Sequence, residues 1–199
     1  MCAIMFFGLA ALAGHPGFLP VANEGQVQVY ERKNAAAVEM MAVGMIDASP
    51  SDVQAVLLDY DNYARLNPRL AESKILRRGT NDLLVFQRLK LPVIKDRVYF
   101  LRIAWNTTAQ GRSDIRFGLA PGLSADLPND AVAMPILSGR WELEPIGTGT
   151  RITYYVQMTL GEGVPNLLVA DGAVREIPQL FKNLRDILKD RHAALALHR

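Results

Sequence analysis

The sequence predicts an α+β fold in which a curved antiparallel sheet wraps around one long C-terminal helix and leaves an internal cavity. Two observations carry this prediction. Segments 139–143 and 151–159 alternate apolar and polar residues on either side of a turn at 147–150, which is typical of a β-hairpin. Residues 164–189 then place apolar side chains at helical spacing. Twisted strands that lead into an amphipathic helix favour a sheet curled over that helix.

The composition is that of an ordinary globular protein and excludes several classes of function. The chain has 199 residues, of which 50% are hydrophobic and 21% charged, and this fits one domain with a substantial core. The net charge of +2 and the lack of a long basic run predict no nucleic-acid partner. Residues 24–191 contain neither histidine nor cysteine, so we expect no His-activated nucleophile, no metal site and no cofactor.

The N-terminal residues differ in kind from the rest of the chain. The first 12 residues are almost wholly apolar, and small residues, glycine and proline follow, as in the apolar part of a secretory signal. The first cationic side chain is Arg32, so the basic start of such a signal is missing. We therefore interpret residues 1–22 as a signal peptide or an N-terminal extension. Export to the periplasm or the medium is the predicted localisation, with the cytoplasm as the alternative.

The remaining chain divides into a linker, one domain and a tail. The polar residues 23–36 are interpreted as a linker, residues 37–190 as the domain, and residues 191–199 as a tail. Within the domain, a first strand over 37–46 precedes a helix capped by Ser49, with Pro50 in its first turn. A second short helix is predicted over 59–68. Further strands are predicted over 72–78, 83–90, 97–106, 113–118, 136–145 and 150–160.

Three features bear on access to a cavity. Residues 119–134 show no clear period, and a segment of this length is often a lid or a binding loop. A second access point is expected at the turn 106–112. Pro178 and Gly172 lie inside the C-terminal helix, so a kink or break is expected between them. The apolar face of that helix is predicted to consist of Val164, Leu167, Leu168, Ala173, Ile177, Leu180, Phe181, Leu184 and Leu188.

The order and the motifs of these elements resemble the START-like lipid-binding domains of the helix-grip, polyketide cyclase-like superfamily. Three pieces carry the resemblance: the helix and acidic-aromatic segment 49–63, the segment 86–99 with its Pro-x-x-x-Asp-Arg pattern, and Gly139-Arg140-Trp141 followed by the Val-Pro start of the last helix at 163–168. The resemblance covers residues 35–190. It implies a helix-grip fold with a hydrophobic tunnel that holds one lipid or sterol.

Alternation along the strands supplies the candidate ligand-binding residues. On the strand after Arg97, one face avoids burying Arg102 and is therefore the better interior face. Gln87 is the neutral polar side chain best placed to bond a ligand hydroxyl. The predicted ligand-binding residues are Gln87, Tyr99, Leu101, Ile103, Trp105, Trp141, Tyr154, Val156, Met158, Ile177 and Phe181.

The family resemblance also bears on ligand polarity. Some animal members carry a cavity arginine where this chain has Ile103, and the acid that follows the strand-initial arginine is here Val98. A weakly polar ligand such as a sterol or neutral lipid therefore fits better than a charged head group.

The predicted function is binding and transfer of a hydrophobic ligand by a monomer in transient contact with a membrane. We expect no catalytic residues. Two alternatives stay open, which are an aromatase/cyclase enzyme on the same fold and a quinone-binding or chaperone-like partner protein.

Overall fold

The computed structural model describes residues 16–92, 94–120, 122–123, 130–161 and 163–197, without the side chains of residues 195 and 197. It confirms the α+β fold, with a large curved antiparallel sheet and a long C-terminal helix. The strands are β1 (Leu19–Glu24), β2 (Val27–Arg32), β3 (Val38–Ile46), β4 (Leu70–Arg78), β5 (Asp82–Leu89), β6 (Arg97–Thr107), β7 (Ser113–Leu119), β8 (Val132–Ala133), β9 (Ile136–Ile146) and β10 (Gly149–Thr159). The helices are α1 (Pro50–Leu57), a 3₁₀ helix (Tyr60–Arg65) and α2 (Asn166–Leu197).

The strands form one sheet in the order β1-β2-β3-β10-β9-β7-β6-β5-β4, and β8 pairs with β6 in parallel. The predicted alternation on β6 is confirmed, because Leu101 and Ile103 are buried whereas Arg102 and Ala104 are exposed. The same holds on β10, where Ile152 faces the interior. One face of each central strand is therefore apolar and packs towards α2.

The two short helices close one end of this sheet. Ser49 caps α1, since its side-chain oxygen accepts a hydrogen bond from the backbone N–H of Asp52 at 3.2 Å, and Pro50 begins the helix. Val53 and Leu57 of α1 are buried in the core. The 3₁₀ helix follows and leads into β4, so it lies beside the open edge of the sheet.

The C-terminal helix α2 is longer than predicted and buries a different face at its start. Residues 191–197 continue the helix, so the expected tail is helical, in keeping with their alanine content. Leu167 and Leu168 are 72% and 61% exposed, and the face towards the sheet begins instead with Val169 and Ala170. Further along the helix, the predicted face is buried as expected, at Ala173, Ile177, Phe181, Leu184 and Leu188. Leu167 and Leu168 project away from this stripe because a helix turns about 100° per residue. Helical residues continue on both sides of Pro178, and the expected break is therefore absent.

The predicted linker over 23–36 is wrong, because most of it forms a β-hairpin. The strands β1 and β2 pair antiparallel, and β2 continues the sheet beside β3. Val27 and Val29 are fully buried and alternate with polar residues. Two apolar residues among polar neighbours are too short a pattern to predict a strand. On the outer face of the sheet, Phe18 packs with Tyr30 and Met41 in a second small core.

Two predictions fall partly or wholly outside the described residues. The apolar segment on which the signal-peptide prediction rests lies within residues 1–15, outside the described part of the chain. Export therefore stays a prediction. In the expected lid 119–134, residues 121 and 124–129 also lie outside it, while Val132–Ala133 forms β8. Within the described ranges, no helix has both the length and the apolar character needed to cross a membrane.

Candidate ligand-binding cavity

A cavity of about 460 Å³ lies between the inner face of the sheet and the middle of α2. Its wall comes from β5, β6, β7, β9 and β10, from the 3₁₀ helix and the residues after it, and from α2. The volume is in the lower half of the range of about 300–1,000 Å³ that is usual for pockets holding one small ligand.

The strand register explains why apolar side chains meet at this cavity. On β9 and β10, Trp141 pairs with Tyr154, and Leu137 pairs with Met158. Residues directly opposite on one face lie side by side, so these four side chains form two adjacent rows of the wall. The Trp141 and Tyr154 rings are stacked with their centroids 4.0 Å apart. The sheet therefore supplies a continuous aromatic and aliphatic surface.

Four tyrosines bring neutral hydroxyl groups to this apolar wall. Tyr60 and Tyr63 stack with ring centroids 4.5 Å apart, and Tyr99 and Tyr154 reach the cavity from the sheet. Burial raises the pKa of Tyr99 and Tyr154 above the usual tyrosine range, and the nearby Tyr63 raises both further. Burial also raises the pKa of Tyr60 and Tyr63. All four therefore stay protonated at neutral pH and offer uncharged hydrogen-bonding groups.

A short chain of hydrogen bonds connects Gln87 of β5 with Ser73 of β4 and the backbone of Tyr60. Gln87 is only 3% exposed, and its Nε2 donates to Ser73 Oγ at 2.9 Å. Ser73 Oγ in turn donates to the backbone carbonyl of Tyr60 at 2.5 Å. The register places Ser73 opposite Gln87 and Gln87 opposite Tyr99, so this polar group sits between two strands of the inner face.

The cavity opens where its wall residues are exposed, between the 3₁₀ helix segment and α2. Arg69 follows the 3₁₀ helix and forms an ion pair with Glu176 of α2, with both side chains nearly half exposed. One turn further along α2, Gln179 Nε2 donates to Asn183 Oδ1 at 2.7 Å. The Asn183 amide then donates to the Leu66 carbonyl at 3.0 Å. Charged and polar contacts thus line the mouth, whereas the interior is apolar.

Most of the residues predicted to bind ligand are brought together at this cavity. They are Gln87, Tyr99, Leu101, Trp141, Tyr154, Val156, Met158 and Ile177. Ile103, Trp105 and Phe181 have inner-face positions but do not contribute to its wall. Phe181 is fully buried beneath Trp141, with ring centroids 6.1 Å apart. Ile103 and Trp105 lie further along β6, past the end of the cavity, so the inner face alone does not define the wall.

The wall also contains residues that the sequence patterns did not predict. They are mainly Tyr60 and Tyr63 of the 3₁₀ helix, Phe117 of β7, and the polar residues at the mouth. The spacing of Tyr60 and Tyr63 at i and i+3 was a usable signal, because it places both rings on one face of a short helix. The expected access point at 106–112 is wrong, since Thr107 bonds Gln54 of α1 and no residue of this turn lines the cavity.

Charged groups are scarce around the described wall. Glu176 is its only carboxylate and Arg69 its only cation, and the two are paired at the mouth. Within the described ranges, no cluster of three or more His, Cys, Asp or Glu side chains is arranged to hold a metal ion. The interior can therefore offer a ligand apolar contact and neutral hydrogen bonds.

Comparison with known proteins agrees with this geometry. The model of the family described as polyketide cyclase / dehydrase and lipid transport matches residues 38–192. No functionally curated protein matches the sequence.

Solved structures show the same fold at low sequence identity. A STAR-related lipid transfer protein from Xanthomonas axonopodis is 23% identical, with a TM-score of 0.78 over 87% of this chain and 99% of that one. Human STARD10 is 15% identical, with a TM-score of 0.80 over 92% of this chain and 77% of that one. Human StAR-related lipid transfer protein 5 is 12% identical, with a TM-score of 0.79 over 92% and 95% of the two chains. The chain thus belongs to the polyketide cyclase / dehydrase and lipid transport family and has a START-like helix-grip fold, which supports binding of a hydrophobic ligand.

Proposed function

We propose that this protein binds one compact, uncharged hydrophobic ligand, a lipid or a sterol, in the cavity and transfers it between sites. The observation that carries the proposal is that charged groups lie only at the mouth of the described wall, whereas the interior is apolar or neutral. The interior is lined by apolar and aromatic side chains with neutral hydroxyl and amide groups, and the only ion pair among the described wall residues lies at the mouth. A charged head group would lose its hydration inside without gaining a partner of opposite charge.

The size of the cavity supports the same proposal. About 460 Å³ suits a single ring system or a single chain better than a ligand with two long acyl chains. Contact with the aromatic rings of Trp141 and Tyr154 on the cavity wall should provide much of the binding energy for such a ligand. The names of the lipid transfer proteins that share the fold agree with this ligand class.

Mass spectrometry of an organic extract tests the proposal directly. Protein purified from its native host should release one neutral lipid or sterol at about one molecule per chain. Ala173 is 4% exposed on the cavity wall, so Ala173→Phe fills the space and should greatly reduce the extracted ligand. Ala193→Phe places the same ring on an exposed site of α2 and should leave the ligand in place. A folded wild type without ligand, or an Ala173→Phe variant that keeps it, would overturn the proposal.

A second candidate function is cyclisation of a polyketide-like chain, which the family description includes. The four tyrosines favour it, because protonated phenols can donate hydrogen bonds to carbonyl oxygens of a folded poly-β-ketone. Against it, the only carboxylate of the described wall is Glu176, which Arg69 holds at the mouth. Incubation with a linear poly-β-ketone thioester distinguishes the two, since a carrier returns it unchanged and a cyclase releases a ring product.

A further inference from the structure

We infer that Gln87 presents a hydrogen-bond acceptor of fixed orientation to the ligand, so that the cavity selects hydroxyl-bearing ligands over otherwise equal ligands that carry only a carbonyl group. The inference rests on the proposed function and specifies the class of its ligand. It follows from the order in which three neighbouring polar groups donate and accept hydrogen bonds.

The Ser73 hydroxyl donates its one proton to the backbone of Tyr60. Its Oγ lies 2.5 Å from the backbone carbonyl oxygen of Tyr60. A carbonyl oxygen can only accept, and a serine hydroxyl has only one hydrogen to donate. The hydroxyl hydrogen of Ser73 is therefore directed at Tyr60, and only the lone pairs of Ser73 Oγ remain for other partners.

The side-chain amide of Gln87 is held in one orientation by Ser73. One end of this amide lies 2.9 Å from Ser73 Oγ. The two ends of a glutamine amide are told apart by their hydrogen-bond partners. Because Ser73 has no second hydrogen to give, the group next to it must be the donating Nε2. The acceptor Oε1 is then at the other end of the amide and cannot exchange places without breaking this contact.

The surroundings of Gln87 Oε1 determine what this atom can bind. Gln87 is 3% exposed, stands in register between Ser73 and Tyr99, and lies on the cavity wall. Among the described residues, the Gln87 side chain makes the one hydrogen bond donated by Nε2, and Oε1 is not one of the fully enclosed atoms without a partner. Because Gln87 lies on the cavity wall, we place Oε1 as an acceptor that borders the cavity. A buried amide oxygen is costly to leave unpaired, so a ligand that brings a donor gains affinity there. A hydroxyl brings that donor, whereas a ketone or quinone oxygen does not.

A competition experiment tests this preference with two matched ligand pairs. Cholesterol is mixed with cholest-4-en-3-one, and 1-tetradecanol with 2-tetradecanone, each at equal concentration with wild-type protein. The bound ligands are extracted, and the ratio of alcohol to ketone is measured by mass spectrometry. We expect about a fivefold to tenfold preference for the alcohol, which is the usual effect of one hydrogen bond.

Three variants separate the role of Gln87 from a general effect on the cavity. Gln87→Leu removes the acceptor and should bring the alcohol-to-ketone ratio close to one. Ser73→Ala frees the amide to turn its Nε2 towards the cavity, so the ketone should gain affinity and the ratio should fall. Gln110→Leu makes the same chemical change in the exposed turn before Gly111, off the cavity wall, and should leave the ratio unchanged.

The outcomes distinguish this inference from the function on which it rests. If folded wild type binds both members of a pair equally, the inference fails and hydrophobic-ligand binding stands. If it binds no member of either pair, the proposed function fails and the inference with it. An unchanged ratio in Gln87→Leu also overturns the inference. Should that variant not fold, Ser73→Ala decides, because an unchanged ratio there contradicts the fixed amide.

Discussion

Gly139 shows how a single missing side chain shapes the cavity wall. It lies on β9 opposite Phe117 of β7 and Val156 of β10. A Cβ atom at this position would overlap the Phe117 ring and the backbone oxygen of Tyr155. The Phe117 ring can therefore lie across the glycine backbone and reach the cavity. In the Gly-x-Trp pattern, the glycine admits one aromatic ring, and Trp141, two residues later, supplies another.

We predict that Gly139→Ala lowers the free energy of unfolding by about 1–3 kcal/mol, because the backbone oxygen of Tyr155 cannot move away as a flexible side chain could. Denaturant unfolding monitored by circular dichroism measures the loss. Gly118→Ala is the matched control on the neighbouring strand, where the nearest atom to a new Cβ is Ser138 Cβ at 3.9 Å, an ordinary contact. Equal stability of the two variants would contradict this account of Gly139.

At the scale of elements, the segment from Asp59 to Arg69 is fastened to α2 by a series of polar contacts. They run in order along both elements: Asp59 with Arg191 at 2.8 Å, Arg65 with Asp190 at 3.4 Å, the Leu66 carbonyl with Asn183 at 3.0 Å, and Arg69 with Glu176. The last contact is the one at the cavity mouth. Because the segment carries Tyr60 and Tyr63 of the wall, its separation from α2 would open the cavity.

We predict that Glu176→Gln accelerates ligand uptake and release up to about fivefold, since an exposed ion pair contributes at most about 1 kcal/mol. Stopped-flow fluorescence with a fluorescent sterol measures both rates. The difference from wild type should shrink at about 1 M salt, where exposed charges are screened. Asp186→Asn breaks the Lys182–Asp186 pair, which lies on α2 but off the cavity wall, and should leave the rates unchanged. Equal rates in wild type and Glu176→Gln would show that the Arg69–Glu176 pair does not limit access.

At the scale of the whole molecule, every tyrosine has a raised pKa. The chain has 6 tyrosines, and burial is the first cause of the increase for each of them. Below pH 10 the folded and unfolded states hold the same phenol protons, so this contribution to stability is fully present. Above pH 10 the unfolded chain loses protons that the folded chain keeps. Stability therefore falls as the pH rises towards the folded-state pKa values.

We predict that at pH about 10.5 the folded protein shows much less tyrosinate absorbance than the urea-unfolded chain, which is more than half ionised. Between pH 10 and the folded pKa, each fully buried tyrosine should reduce the free energy of unfolding by about 1.4 kcal/mol per pH unit. Tyr99→Phe should lower that slope by one tyrosine's share while changing stability little at pH 7. A tyrosinate titration that coincides in the folded and unfolded protein would refute the prediction.

Some elements of the fold could be predicted from the sequence and others could not, depending on how complete the signal is within the element itself. The helix after Ser49 and the strand β6 were predictable because a cap and a period-2 pattern are complete within a few residues. The hairpin of β1 and β2 was not, since Val27 and Val29 are too few to stand out from polar neighbours. The start of α2 was misassigned for a related reason, because Leu167 and Leu168 continue the apolar pattern while the helix turns them towards solvent.

The sequence by itself determined the α+β class, the inner faces of the central strands and the apolar character of the cavity, because these depend on side-chain periodicity along single elements. The tertiary structure alone decided which inner-face residues border empty space and which, like Phe181, fill the core. It also placed Tyr60 beside Ser73 and Gln87, and Arg69 beside Glu176. Those contacts join residues far apart in the chain, and their geometry depends on how the sheet curves around α2, which no local pattern encodes.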